Sequence, residues 1–326
     1  MHLDPPTPAR DGDAAAAPPP RSGLRRLLGW ALVAATLGFV GLTIARHRAE
    51  LAAVDWRIQA LPLLGSVALL LLALGWGIRI WGRILAHLGV SLPFPAALRI
   101  WFLASLARYV PGKVWQFVGA AQMGRAYGIG AVTMVTSLVL STGYTMAASV
   151  VLGLPFLAFR FIESDAAATA LSALGIAATL VAVHPRATNA ALALMPRALH
   201  REVLSWGASW GAGIVLLLGS VVSWLIYGVA FTVFAMAVLD VDAGMVLAFI
   251  AVNAIAVLAG VAAIVAPAGL GAREVTLTVL LQPYLPTAGA AALLAVLARI
   301  WVIAAELLGA ALAVALARRS ASGRRP

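Results

Sequence analysis

Cysteine is absent from this chain, lysine occurs once, and charge of either sign is sparse. Without cysteine there are no disulfides, thiolate nucleophiles or thiolate metal sites. Histidine is nearly as rare: His2, His47, His87, His184 and His200 lie in tails and loops without ligand spacing, so no metal and no other cofactor is expected. The phosphate-cradling pattern G-x-x-x-x-G-K-[ST] is missing as well, which removes nucleotide hydrolysis as a source of energy. No carboxylate pair, Ser/His arrangement or metal set stands near the glycine-proline breaks discussed below, and this makes an intramembrane enzyme the least favoured reading.

What is present is apolar. Of 326 residues, 63% are hydrophobic and 11% charged, and mean hydropathy is +0.98. That is the profile of an integral membrane protein. Runs at roughly 27–45, 60–81, 130–158, 166–184, 209–239 and 287–317 are each long enough to cross a hydrocarbon core of about 30 Å as a helix. A lipid-exposed backbone must satisfy its own hydrogen bonds, and alternating barrel strands are not seen, so the fold class is an all-α polytopic membrane protein. Residues 1–23, rich in Pro, Ala, Asp and Arg, read as a disordered tail; 24–319 as the membrane domain; 320–326 as a basic tail. The run 27–45 is too long for a signal core and is followed by Arg46-His47-Arg48, so it is read as a spanning helix.

The net charge of +11 comes from arginines beside apolar segments, which face anionic headgroups and not nucleic acid. Their bias between alternate loops places both termini in the cytoplasm. Trp101, Trp115, Trp206 and Trp210 are expected mostly as interface anchors, and 188–203 as a surface-lying amphipathic helix.

Two regions, 96–127 and 244–283, hold a break within apolar sequence. In the first, "YVPGKVWQF", Pro111 and Gly112 end one helical segment and the next begins near Lys113, the single lysine. The second, "APAGLGAREVT", has Pro267, Gly269 and Gly271 followed by Arg273 and Glu274. The charge bias holds only if each region enters and leaves on one side. The fold is then about six spanning helices plus two opposed re-entrant helical hairpins, in halves related as an inverted repeat. Helix N-termini carry positive partial charge and suit a phosphate or carboxylate, and an added cation strengthens such a site. The competing readings are that Arg108 and Lys113 snorkel to headgroups at the boundary, and that Arg273 and Glu274 pair to fix a tight loop.

The last run contains Arg299 and Glu306 on nearly one face, about 10 Å apart along the axis, so each needs another partner. Arg299 is expected to meet Glu274 or a substrate. Glu306 is expected to meet an arginine or carry a proton, with a purely structural buried network as the alternative for both. Asn253 reads more readily as an interhelical hydrogen bond than as a ligand.

On "RYVPGKVWQFVGAAQMGRAYGI", Arg108 to Ile129, and "PAGLGARE", Pro267 to Glu274, the chain resembles the lysylphosphatidylglycerol synthase transmembrane family, also called the flippase-like domain family; Arg299 to Gly309 resembles it more weakly. The resemblance spans nearly the whole chain, with Ala268 where the family's second motif has a glycine. It implies a multi-pass protein of the bacterial inner membrane whose relatives move an anionic or modified lipid or serve a glycolipid or polyprenyl-linked pathway. It makes Arg108, Lys113, Arg273 and Glu274 site candidates. The soluble aminoacyl-transferase domain of bifunctional members is not expected here, and lysyl transfer with it.

Three functions follow. The first is a translocase for an anionic phospholipid or polyprenyl-phosphate-linked lipid. The second is a non-transporting scaffold or regulator for a glycosyltransferase or lipid-modifying enzyme. The third is the disfavoured intramembrane enzyme.

Overall fold

The computed structural model describes residues 56–107, 114–193, 205–263 and 271–322, with a few positions between 38 and 54. The run 27–45 lies almost wholly outside these residues, and Arg108, Pro111, Lys113 and Pro267 lie outside them entirely. The described chain is helical: α1 Ala60–His87, α2 Phe94–Leu106, α3 Trp115–Arg125, α4 Ala131–Phe161, α5 Asp165–Ala182, α6 Pro185–Ala193, α7 Trp210–Val238, α8 Val246–Ala262, α9 Ala272–Leu281 and α10 Ala288–Ser322. The protein is an all-α polytopic membrane protein. Six helices are long and apolar enough to cross a bilayer: α1, α4, α5, α7, α10 through Leu316, and α8 with its leading turn, Ala243–Ala262.

That last span differs from the sequence reading, which placed 244–262 in a re-entrant segment. The sequence break at Pro267 falls after a helix that is already 20 residues long with its leading turn. The helix α10 also runs three residues past the boundary expected at 319. Helix starts follow local chemistry. Ser164 caps α5 by accepting from the Ala167 N–H at 3.3 Å, and Ser209 caps α7 by accepting from Ala212 at 3.2 Å.

In lipid the helices gain little from burying one apolar side chain rather than another, so close approach and interhelical hydrogen bonds hold them together. The antiparallel pair α1–α7 is the clearest case. Trp76 donates its indole N–H to the Gly219 carbonyl at 2.8 Å, Ser223 donates to the Ala73 carbonyl at 3.0 Å, and Ile80 fills the space that a side chain at Gly219 would need. At one end Arg57 and Gln59 donate backbone N–H groups to Val238 and Ala237. Gly228 lets α8 approach α7 until a Cβ there would lie 2.6 Å from the Ile250 Cα. Trp81, wholly buried, donates to Ser137 at 3.0 Å and ties α1 to α4.

Trp206 is no interface anchor. It is 3% exposed, packed among Tyr144 and His87, with its backbone held by the Asn189 amide. Only the Pro185–Ala193 part of the expected surface helix and its neighbour lies within the described residues up to 193.

The pair α2–α3 lies between α1 and α4 along the chain, and the pair α8–α9 between α7 and α10. α2 starts just after α1 finishes, and α3 leads back to the start of α4, where Leu85, Ala97, Ala120, Ile129 and Met134 share one cluster. Likewise Leu239 and Val241, just before α8, share a cluster with Leu277, Leu281 and Leu285, at and beyond the end of α9.

Candidate functional site

The site grows from the first turn of α9. Gly271 precedes it with φ +89°, a left-handed conformation that glycine adopts without strain. This turn aims the Gly271 N–H at the side chain three residues ahead, and the Glu274 Oε2 accepts it at 2.9 Å. An acid at this position satisfies a free N–H and complements the helix dipole. The other oxygen, Oε1, accepts from the Arg299 Nη1 at 2.5 Å. Glu274 is 3% exposed and the Arg299 side chain 11%, so this is a buried ion pair. Of the alternatives for Arg299, the structure selects Glu274; the competing reading, in which Arg273 pairs with Glu274 to fix the loop, is not the pairing that forms.

The pair lies deep. Arg299 is 299 − 288 = 11 residues into α10, roughly 17 Å along the axis, near the middle of a core about 30 Å thick. Taking a carboxylate and a guanidinium out of water is costly, and here the two charges meet each other while the carboxylate also accepts the Gly271 N–H.

Arg273 is spent differently. Its Nη2 donates to the Tyr227 hydroxyl at 3.3 Å, its buried Nε has no partner, and among the described residues no carboxylate pairs with it. Tyr227 is held flat against Trp224, with ring centres 5.5 Å apart and planes within 3°, and it also touches Trp301 at 6.1 Å. Trp224 is anchored by donating to the Thr145 carbonyl at 3.0 Å, and Trp301 by donating to the Ser66 hydroxyl at 3.0 Å. The half-buried guanidinium thus meets a hydroxyl on a ring that two tryptophans hold in place, and its buried Nε has no partner among the described residues.

Asn253 corrects the sequence reading. It is 0% exposed, yet neither its amide nitrogen nor its oxygen has a hydrogen-bond partner. The interhelical bond expected of it does not form. Phe231 of α7 faces Phe249 of α8 at 5.6 Å and Gly228 faces Ile250, so the two helices run antiparallel.

Glu306 is buried, at 3% exposure. It precedes by three residues Gly309, where a Cβ would overlap the Phe102 ring of α2. Arg108 and Lys113, which follow α2 in the chain, lie outside the described residues. Thus Arg273, Glu274 and Arg299 gather about the first turn of α9, and Tyr227, which the sequence reading missed, is the hydrogen-bond partner of Arg273. A tyrosine within one turn of the helix middle carries no signal of its own; the Trp224 to Tyr227 spacing was the available hint.

No group of three or more His, Asp or Glu side chains suited to a metal ion occurs among the described residues. Comparison with curated proteins and with solved structures found no significant match. A family match does exist, over residues 26–306, to the lysylphosphatidylglycerol synthase TM region, and the two break motifs and the buried ion pair all fall inside it. The chain belongs to that family.

Proposed function

We propose that this membrane domain carries a phosphate-bearing lipid from one leaflet of the bacterial inner membrane to the other, as a transporter and not an enzyme. The observation behind this reading is the Arg273 guanidinium. It lies in the first turn of a helix at membrane depth, with a phenol hydroxyl as its one hydrogen-bond partner among the described residues. A cation in that setting is costly and marks a substrate or ion pathway by default. The free N–H groups and positive end of α9 add to its attraction for an anionic oxygen.

On the same reading the pairs α2–α3 and α8–α9, each bordering a proline-glycine break in the sequence, act as the opposed hairpins of an inverted repeat. On that reading Arg108 and Lys113 supply the second cationic tip, the termini are cytoplasmic, and the halves rock to expose the site alternately. A polyprenyl-phosphate-linked lipid and an anionic phospholipid share the phosphate chemistry, and either fits.

The test is leaflet exchange of fluorescent anionic and zwitterionic lipids, and of polyprenyl phosphates, in liposomes holding the purified protein. Anionic lipid should cross faster than in protein-free liposomes, and Arg273→Gln or Lys113→Ala should abolish the gain. No acceleration for any phosphate-bearing lipid would move the assignment to a scaffold for a glycosyltransferase or lipid-modifying enzyme.

A further inference from the structure

Arg273 is held by one bond among the described residues, from its Nη2 to the Tyr227 hydroxyl at 3.3 Å, and its buried Nε has no partner. Such bonds centre near about 2.9–3.0 Å and fade beyond about 3.5 Å, so a few tenths of an ångström in the position of the phenol decide whether the guanidinium is held. Tyr227 has two aromatic neighbours among the described residues. Trp224, one turn back on the same helix, lies parallel to it. A parallel pair of rings resists separation more than it resists sliding, and sliding is what displaces the hydroxyl. Trp301 comes from another helix, α10, and its ring is tilted 43° to Tyr227 at 6.1 Å, so it opposes that slide.

Trp301 is itself fixed on several sides. It is 4% exposed, it stacks on Phe234 at 4.9 Å with planes 17° apart, and its indole N–H reaches the Ser66 hydroxyl of α1 at 3.0 Å. An indole only donates, and the one hydroxyl hydrogen of Ser66 is already given to the Leu63 carbonyl at 2.7 Å, which leaves the serine oxygen oriented as an acceptor. Filling space alone would be served by phenylalanine, which has no N–H to satisfy. Two residues before Trp301, Arg299 holds Glu274. One helix therefore governs both neighbours in the first turn of α9, Glu274 through an ion pair and Arg273 through Tyr227.

We infer that Trp301 is a positioning residue for Arg273, keeping the Tyr227 hydroxyl where the guanidinium meets it and so presenting that cation to an anionic substrate. The consequence for substrate rests on the transport reading above; the consequence for the guanidinium rests on the contacts alone.

The experiment therefore has two readouts on the purified full-length protein in liposomes. The first is modification by phenylglyoxal, a reagent for guanidinium groups, with the rates at Arg273 and Arg299 followed on their peptides by mass spectrometry. Trp301→Leu should raise the Arg273 rate several-fold and leave Arg299 as in the wild type, because Arg299 keeps its carboxylate. Tyr227→Phe should give the same rise, and the double variant no more than the larger single effect, as expected of residues acting in series. Trp301→Phe, which keeps a ring beside Tyr227, should restore most of the protection. Ser66→Ala removes only the acceptor of the indole and should give a smaller rise in the same direction; it carries the test if Trp301→Leu does not fold. An unchanged Arg273 rate in Trp301→Leu, or in Ser66→Ala where that variant stands in for it, overturns the assignment. So does a rise shared by Arg299, which reports a loosened bundle. The second readout is leaflet exchange of a fluorescent anionic lipid, which should fall several-fold in Trp301→Leu and no further in the double variant. A wild-type protein that moves no lipid removes the transport reading, while the labelling still decides the role of Trp301. Undiminished exchange in a variant whose Arg273 has become reactive overturns the positioning role and leaves the transport reading standing.

Discussion

Arg299 on the last long helix and Glu274 in the first turn of α9 form a buried ion pair near the middle of the membrane domain, and the same carboxylate closes the turn at Gly271. Removing one partner leaves the other charge buried and alone. Glu274→Ala and Arg299→Ala should each destabilise the protein by about 3–5 kcal/mol, and the double substitution by clearly less than the sum. Thermal unfolding in detergent of the two single variants and the double variant measures this.

The left-handed turn at Gly271 makes a sharper local prediction. Alanine there has open space around its Cβ, so only the backbone suffers, at a cost of about 1–2 kcal/mol. Gly271→Ala should lower lipid exchange several-fold while losing far less stability than Glu274→Ala. Equal losses in both properties would mean that the turn has no role of its own.

Glycine packing separates two positions of the same residue type. Gly228→Ala would drive a Cβ to 2.6 Å from the Ile250 Cα, backbone against side chain, and should cost about 1–3 kcal/mol or prevent folding. Gly143→Ala, on an exposed face of α4 with nothing within 4 Å, should be neutral or slightly stabilising. Expression yield and melting temperature of the pair decide it.

Tyr227→Phe keeps the ring against Trp224 and removes the acceptor of Arg273. One ordinary hydrogen bond is lost, about 0.5–1.5 kcal/mol, but the guanidinium is no longer held in place. Lipid exchange should fall several-fold with a shift of only a few degrees in melting temperature. The liposome assay and thermal scans on one preparation check both.

Much of this was legible from residue order alone. Long apolar runs fixed five of the six crossing helices, because a helix across lipid needs length and hydropathy and little else. The charges that sequence singled out as unaffordable in a membrane, Glu274 and Arg299, did find each other. Asn253 misled because a polar residue in an apolar helix is normally bonded to a neighbour; which neighbour faces it depends on the α7–α8 register, set by Gly228 and Ile250 and not by anything near Asn253. Tyr227 was invisible for the same reason: its hydroxyl matters only because α9 returns to the depth of the α7 midpoint. The extra span at Ala243–Ala262 was missed because the break at Pro267 drew attention from the uninterrupted apolar stretch before it.

The helix α10 is gripped at two levels, by Phe102 of α2 seated on Gly309 and by Glu274 of α9 bonded to Arg299. Those grips are 309 − 299 = 10 residues apart, roughly 15 Å of stiff rod. The rod works as a shared axle: a tilt imposed by one short helix pair must be felt by the other. Their movements are mechanically linked through α10.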